Sequence, residues 1–251
     1  MQKTNINNKK FLPGQGDGAE IPFDFSCKYN TLTLKNELEQ NSLCIAAHPR
    51  SPVPFLQKLF FKRGQWQFKD LILDHIDGLQ ILNGEIDDGF IDGLNIWKKL
   101  ILCGYKKFIY AGNDAHGNFN KYRQIKIPMI SILEKDSQIF GECRTGIVRE
   151  NNKNSIESTI RGLKHGNCFV TNGPAITINV LHENINYHMG DSIISDRINI
   201  KLNFNSNKEL GKKGKIIIYF GEIGYKEKQI FNTIDVNDKE ISYVKHLSTE
   251  M

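Results

Sequence analysis

Nothing in the chain approaches the roughly 20 consecutive apolar residues that a membrane-spanning helix needs, which excludes the helical membrane class. The opening MQKTNINNKKFLPG has charge but no apolar core, so it does not read as a secretory signal, and the expected compartment is the cytoplasm. No CxxC spacing occurs. The five cysteines, Cys27, Cys44, Cys103, Cys143 and Cys168, are odd in number and scattered, which excludes a disulfide framework or a zinc ribbon. They read as reduced, mostly buried small hydrophobes. A strong charge imbalance is missing too: the net charge is +5 over 251 residues. The lysine-bearing stretches KELGKKGK and NNKNSIESTIRGLKHG lack interleaved aromatics, so they read as solvated surface and nucleic acid is not the expected partner.

What is present is enough apolar material for a sizeable core, 39% hydrophobic with 15 Phe and 8 Tyr, in a length that suits one large α/β domain or one and a half smaller ones. The pattern changes near residue 172. Before it, short apolar runs alternate with helical spacing. SLCIAAHP (42–49), IDGLQILNG (76–84) and KKFIYAGNDAH (106–116) read as strands. Between the second and third, Ile91, Leu94, Trp97 and Ile101 fall three or four apart, and Gly104 follows as a stop, which predicts an amphipathic helix. A further helix is expected over 154–165, with Ile156, Ile160 and Leu163 on one face and Gly166 as its breaker. Strand, helix, strand with glycine exits predicts βαβ units in a parallel sheet or barrel.

After residue 172 the period becomes two. AITINVL (175–181), RINIKLNF (197–204) and KIIIYFG (215–221) alternate apolar and polar side chains, predicting a small antiparallel β-sandwich-like domain. TNGP (171–174) reads as the turn between the two parts. The organisation is thus a poorly defined segment over 1–40, an α/β portion over 41–172 and an antiparallel β module over 173–251. The module carries no cluster of reactive side chains and reads as a structural or interaction appendage.

In parallel α/β folds, functional side chains project from the carboxyl ends of the strands. The three strands here end at His48, at Asn83, and at Asp114 with His116. An Asp-x-His step points two side chains the same way, so a carboxylate oxygen and an imidazole nitrogen can share one ion at about 2.0 to 2.2 Å. Taken singly, His48 also suits a hydrogen-bonded structural role, and the Asp-x-His pair an Asx turn. Histidines 75, 165, 182, 188 and 246 read as surface residues. Glu85, Asp87, Asp88 and Asp92 read as the acidic start of the helix, where carboxylates favour the positive dipole end.

CIAAHPRSP, GLQILNG, YAGNDAHGNFN, GECRTGIV and GLKHGNCFVTNGPA, in this order over about residues 40–190, resemble the later part of the PHP (polymerase and histidinol phosphatase) superfamily. The resemblance implies a distorted seven-stranded β/α barrel and a phosphoesterase that uses divalent ions, zinc, manganese or iron, held by His48, Asp114 and His116. FLPGQGDGAEIPFDF distantly resembles the family's glycine-plus-glutamate ligand strand, which makes Glu20 a candidate ligand, although the same surroundings fit a surface loop. Asn83 is a further candidate. Arg144 is a candidate phosphate contact at the barrel mouth, or a surface salt-bridge arginine. The chain departs from the family in having no His-x-His anywhere and in offering Gln80 and Asn83 in place of a carboxylate at the second strand. The expected protein is therefore part of such a barrel, acting on a phosphorylated small molecule or nucleotide and completed by an upstream polypeptide. The alternatives are a degenerate relative without catalysis and a scaffold that acts through its β module.

Overall fold

The computed structural model describes residues 5–6, 9–10, 42–52, 66–115, 122–127, 130–135, 140–148, 155–195, 199–206, 214–224, 229–236 and 240–242. The chain is mixed α/β. It begins with a short antiparallel pair, β1 (Asn5–Ile6) and β2 (Lys9–Lys10). Three parallel strands follow, β3 (Ile45–Ala46), β4 (Gly78–Asn83) and β5 (Phe108–Gly112), in the order β3-β4-β5. The near-continuous apolar run of β4 suits a strand covered on both faces. No helix among the described residues is long and apolar enough to cross a membrane.

Helix α1 (Phe68–Leu71) precedes β4, and its start is closed by Asp70, whose Oδ2 accepts the Gln67 N–H at 2.8 Å. Helix α2 (Asp88–Leu102) connects β4 to β5; Asp87 caps it, accepting the Phe90 N–H at 2.9 Å, as the acidic stretch predicts. Ala46, Leu71, Ile76, Leu79, Ile81 and Leu100 form the core between helices and sheet. Each such leucine or isoleucine contributes about 1.5 to 3 kcal/mol through removal from water.

The face that α2 buries overlaps the expected one: Leu94 packs against the core, and Trp97 is half-buried with its Nε1–H donating to the Lys107 carbonyl at 2.8 Å. Gly89, Gly93 and Leu100 are buried, whereas Ile91 is 48% exposed. A Cβ on Gly93 would lie 3.1 Å from the Ile81 side chain, and one on Gly89 would lie 2.9 Å from Ser51 Cα. Gly93 lets the helix approach β4 and Gly89 lets it approach the segment that follows His48, since glycine allows the closest contact. Helix α3 (Ile156–His165) repeats the pattern: it ends at Gly166 in the left-handed conformation as expected, yet Gly162 is its buried contact and Ile156 is 69% exposed.

Two antiparallel pairs interrupt the parallel order, β6 (Tyr122–Ile127) with β7 (Ile130–Lys135), and β8 (Arg144–Ile147) with β9 (Cys168–Thr171). Among the described residues no sheet closes into a barrel. Through TNGP, where Thr171 Oγ1 accepts the Gly173 N–H at 2.7 Å, β9 leads into β10 (Ala175–His182). β11 (Ile185–His188) and β12 (Asn199–Asn205) flank β10. β13 (Gly214–Phe220) pairs with β14 (Gln229–Val236), while β15 (Glu240–Ser242) joins β12 at the edge of the four-stranded sheet. The two sheets meet through Leu202 of β12 and Ile216 of β13, with Ile176, Ile200, Phe204 and Ile218 around them. This is the alternation the period-two segments predict for β12 and β13, whereas in β10 Ile178 is 39% exposed.

The module is fastened to the α/β part at both helix ends. Gly224 N–H donates to the Leu102 carbonyl at 2.9 Å and Lys98 Nζ stands 3.4 Å above the Tyr219 ring. The Asn167 side chain donates to the Met189 carbonyl at 2.8 Å.

Candidate functional site

At the carboxyl pole of β3 and β5, His48 Nε2 and Asp114 Oδ2 stand 3.7 Å apart. These residues come from segments more than sixty positions apart in the chain, and the parallel order of β3, β4 and β5 brings their ends to one side. Both are partly exposed, and both have left-handed backbones, with φ of +28° at His48 and +48° at Asp114. Left-handed conformations at non-glycine residues cost of order 1 to 3 kcal/mol and persist only where surrounding contacts fix them. The remaining positive-φ non-glycine residues described, Glu183 and Asn184, form the β10–β11 hairpin turn.

Two sets of contacts fix the pole. Around His48, Ser51 N–H donates to the His48 carbonyl at 3.1 Å, closing a turn. Asn83 Nδ2 donates to Ser51 Oγ at 3.3 Å, and Gln80 Nε2 donates to Asn83 Oδ1 at 2.9 Å. Beside Asp114, Cys143 N–H donates to Asn113 Oδ1 at 2.6 Å and Cys143 Sγ donates to the Gly84 carbonyl at 3.1 Å. Burial, followed by the charge of Glu142, pushes the Cys143 thiol up and keeps it the protonated donor this bond requires. A register shift in the β4–β5 ladder leaves Ile81 as an extra residue, so that Asn83 lies opposite Gly112. Bulges of this kind re-aim side chains beside functional sites.

The expected residues distribute as follows. His48 and Asp114 come together. Asn83 lies at the same pole with its amide bonded at both ends, and Arg144 is the exposed first residue of β8, opposite Thr171 and next to Cys143. Glu20 and His116 lie outside the described residues, as do Cys27, His246 and the glycine-rich segment around Glu20. Among the described residues no group of three or more His, Cys, Asp or Glu side chains is placed to hold a metal ion. Two ligands of one zinc stand roughly 3 to 4 Å apart, and the 3.7 Å between His48 Nε2 and Asp114 Oδ2 lies within that range.

Three of the histidines read as surface residues are half-buried. His188 Nδ1 lies 2.8 Å from Asn179 Oδ1, and His182 Nδ1 lies 3.4 Å from Ser195 Oγ; His75 is the third. The sheet pairing of β10 with β11 covers one side of His182 and His188, which period-two reading alone does not reveal. His165 is exposed as expected. Of the cysteines, Cys143 and Cys168 are buried, Cys44 is intermediate and Cys103 is exposed, all as free thiols.

The opposite pole is built on charge buried for structure. Asp77 Oδ2 accepts the Cys44 N–H at 2.6 Å, and Lys107, only 6% exposed, donates from Nζ to the carbonyls of Leu73 at 2.7 Å and Ile76 at 2.6 Å. Burial pulls the Lys107 ammonium down from the ordinary lysine range, against the pull of Asp74 and Asp77.

No family model matches the chain, and neither a curated protein nor a solved structure matches it.

Proposed function

We propose that the chain is a PHP-type metal-dependent phosphoester hydrolase, with its site at the carboxyl pole of β3, β4 and β5. The observation that carries this reading is the 3.7 Å approach of His48 Nε2 to Asp114 Oδ2, between strand ends where two strained backbones are held in place. In this reading β3 to β5 and their helices are part of a distorted seven-stranded barrel, and the β-sandwich-like domain is appended to it. His48, Asp114 and His116 hold zinc, manganese or iron. A bound divalent ion supplies an activated water and offsets charge on the phosphoryl oxygens. His48 and Asp114 orient it, and Arg144 at the mouth contacts the phosphate of a phosphorylated small molecule or nucleotide in the cytoplasm.

The two described donors also favour a second reading, a relative that binds metal weakly and does not turn over substrate. Elemental analysis of the purified chain beside Asp114→Ala and His116→Ala separates the two. Stoichiometric metal lost in both variants, with phosphomonoester or phosphodiester hydrolysis that follows the metal, supports the hydrolase. Metal without turnover under any of the three ions leaves the degenerate relative, and a metal-free parent chain rejects both.

A further inference from the structure

Gln80, Asn83 and Ser51 form one unbroken polar chain beneath the candidate site. Gln80 Nε2 donates to Asn83 Oδ1 at 2.9 Å, Asn83 Nδ2 donates to Ser51 Oγ at 3.3 Å, and Ser51 N–H closes on the His48 carbonyl at 3.1 Å. The chain begins in β4 and ends in the turn that carries His48. Its first member is seated by the neighbouring strand: a Cβ on Gly112 would lie 2.9 Å from Gln80 Nε2, so the amide occupies the space that glycine leaves in β5. Each amide and the hydroxyl thus has a partner within the chain. His48, by contrast, has a left-handed backbone and precedes Pro49, a combination that local sequence does not favour.

We propose that Asn83 is a positioning residue of this site: its carboxamide, seated by Gln80 and bonded to Ser51, holds the turn that presents the His48 imidazole to Asp114. The proposal rests on the reading of His48 and Asp114 as the site, and it assigns Asn83 a role through Ser51 rather than as a ligand. Side chains one step removed from a metal ligand change metal affinity by about 10- to 100-fold when removed.

The test uses the full chain and Zn²⁺ alone as probe, with two readouts. One is zinc affinity by titration. The other is the order of the His48 ring in the metal-free chain, from ¹³Cε1 relaxation, with the resonance assigned by its loss in His48→Gln. Asn83→Ala and Ser51→Ala are expected to lower ring order and to weaken zinc binding by roughly 10- to 100-fold, while Ser51→Thr, which keeps the hydroxyl, retains both. Ring order equal to that of the parent in Asn83→Ala overturns the proposal. Loss of zinc affinity with ring order retained also overturns it, because Asn83 would then be a ligand itself. Should Asn83→Ala fail to fold, the contrast between Ser51→Ala and Ser51→Thr decides. If the parent chain binds no zinc, the hydrolase reading fails by that result, and ring order still decides whether the relay positions His48.

Discussion

Thr145 Oγ1 meets both backbone polar groups of a single residue, accepting the Ala111 N–H at 2.8 Å and donating to the Ala111 carbonyl at 3.0 Å. Ala111 is the next-to-last residue of β5, three positions before Asp114, and the Thr145 hydroxyl joins it to β8 where no ladder bond does. Thr145→Val keeps the shape and removes both bonds. Leaving part-buried groups without partners costs about 1 to 3 kcal/mol, so the urea midpoint is expected to fall by that measure in Thr145→Val and much less in Thr145→Ser. Equal midpoints for all three chains would mean that water replaces the hydroxyl.

Gly89 and Gly93 make opposite predictions from one helix. Alanine gains about 1 kcal/mol in helix propensity at an interior position such as Gly93, and less in the first turn, where Gly89 stands. At Gly89, however, the new Cβ meets backbone, Ser51 Cα at 2.9 Å and the Arg50 carbonyl at 3.0 Å, and backbone does not yield as a side-chain tip does. Overpacking of this kind costs about 1 to 3 kcal/mol. Gly89→Ala is expected to lower the thermal midpoint and, by moving the turn that follows His48, to weaken zinc binding at the proposed site. Gly93→Ala, whose nearest contact is the Ile81 side chain at 3.1 Å, is expected to leave zinc binding as it was. Titration of both variants decides, and equal zinc affinity in Gly89→Ala would sever the link between α2 and the site.

The contrast between these glycines also shows where sequence reading stops. The limits of α2 were legible, because Asp87 and Gly104 have local backbone reasons to stand at its ends. Its buried face was legible in part, since hydropathy spacing picks out Leu94 and Trp97 but also gives weight to the exposed Ile91 and none to Gly89 and Gly93. The alternation of β12 and β13 was readable because Leu202 and Ile216 face a shared core, while in β10 it fails at the exposed Ile178; the antiparallel pairing of β8 with β9 depends on four residues of each strand with a helix between them. His48 and Asp114 were legible as strand-end residues in a parallel order. The contacts that hold them were not, for Ser51, Gln80, Thr145 and Cys143 are polar or small residues whose partners mostly lie about 30 or more positions away, the Gln80–Asn83 and Ser51–His48 bonds excepted.

Cys168 ties stability to alkaline pH. Burial pushes its thiol up from 9.0 to about 11. A raised folded value means that the folded chain keeps a proton which the unfolded chain releases. The stabilisation is therefore fully present below about pH 9 and is lost as pH rises through about 11. Urea denaturation of the parent and of Cys168→Ala between pH 8 and 11 is expected to show the difference between them shrinking by on the order of 2 kcal/mol toward high pH. A pH-independent difference would place the burial of this thiol elsewhere than in its protonation.

Lys98 above the Tyr219 ring offers a measure of how firmly the β module is attached. Tyr219 is 45% exposed, and exposed cation–π pairs are worth about 0.5 to 1 kcal/mol. A double-mutant cycle with Lys98→Met and Tyr219→Leu is expected to return a coupling of that size. A coupling of zero would leave the Gly224 to Leu102 hydrogen bond as the principal tie at that helix end.

Lys107 has a consequence for chemical labelling. Its amine is enclosed, engaged with two carbonyls and surrounded by the chain before β4, while the other described lysines with assigned exposure keep a larger share of their surface in solvent. An acylating reagent added to the native chain consumes those amines first, and Lys107 reacts only in molecules whose parallel sheet has opened. Mass-spectrometric occupancy at this one position then acts as a clock for opening of the α/β part, independent of the state of the β module.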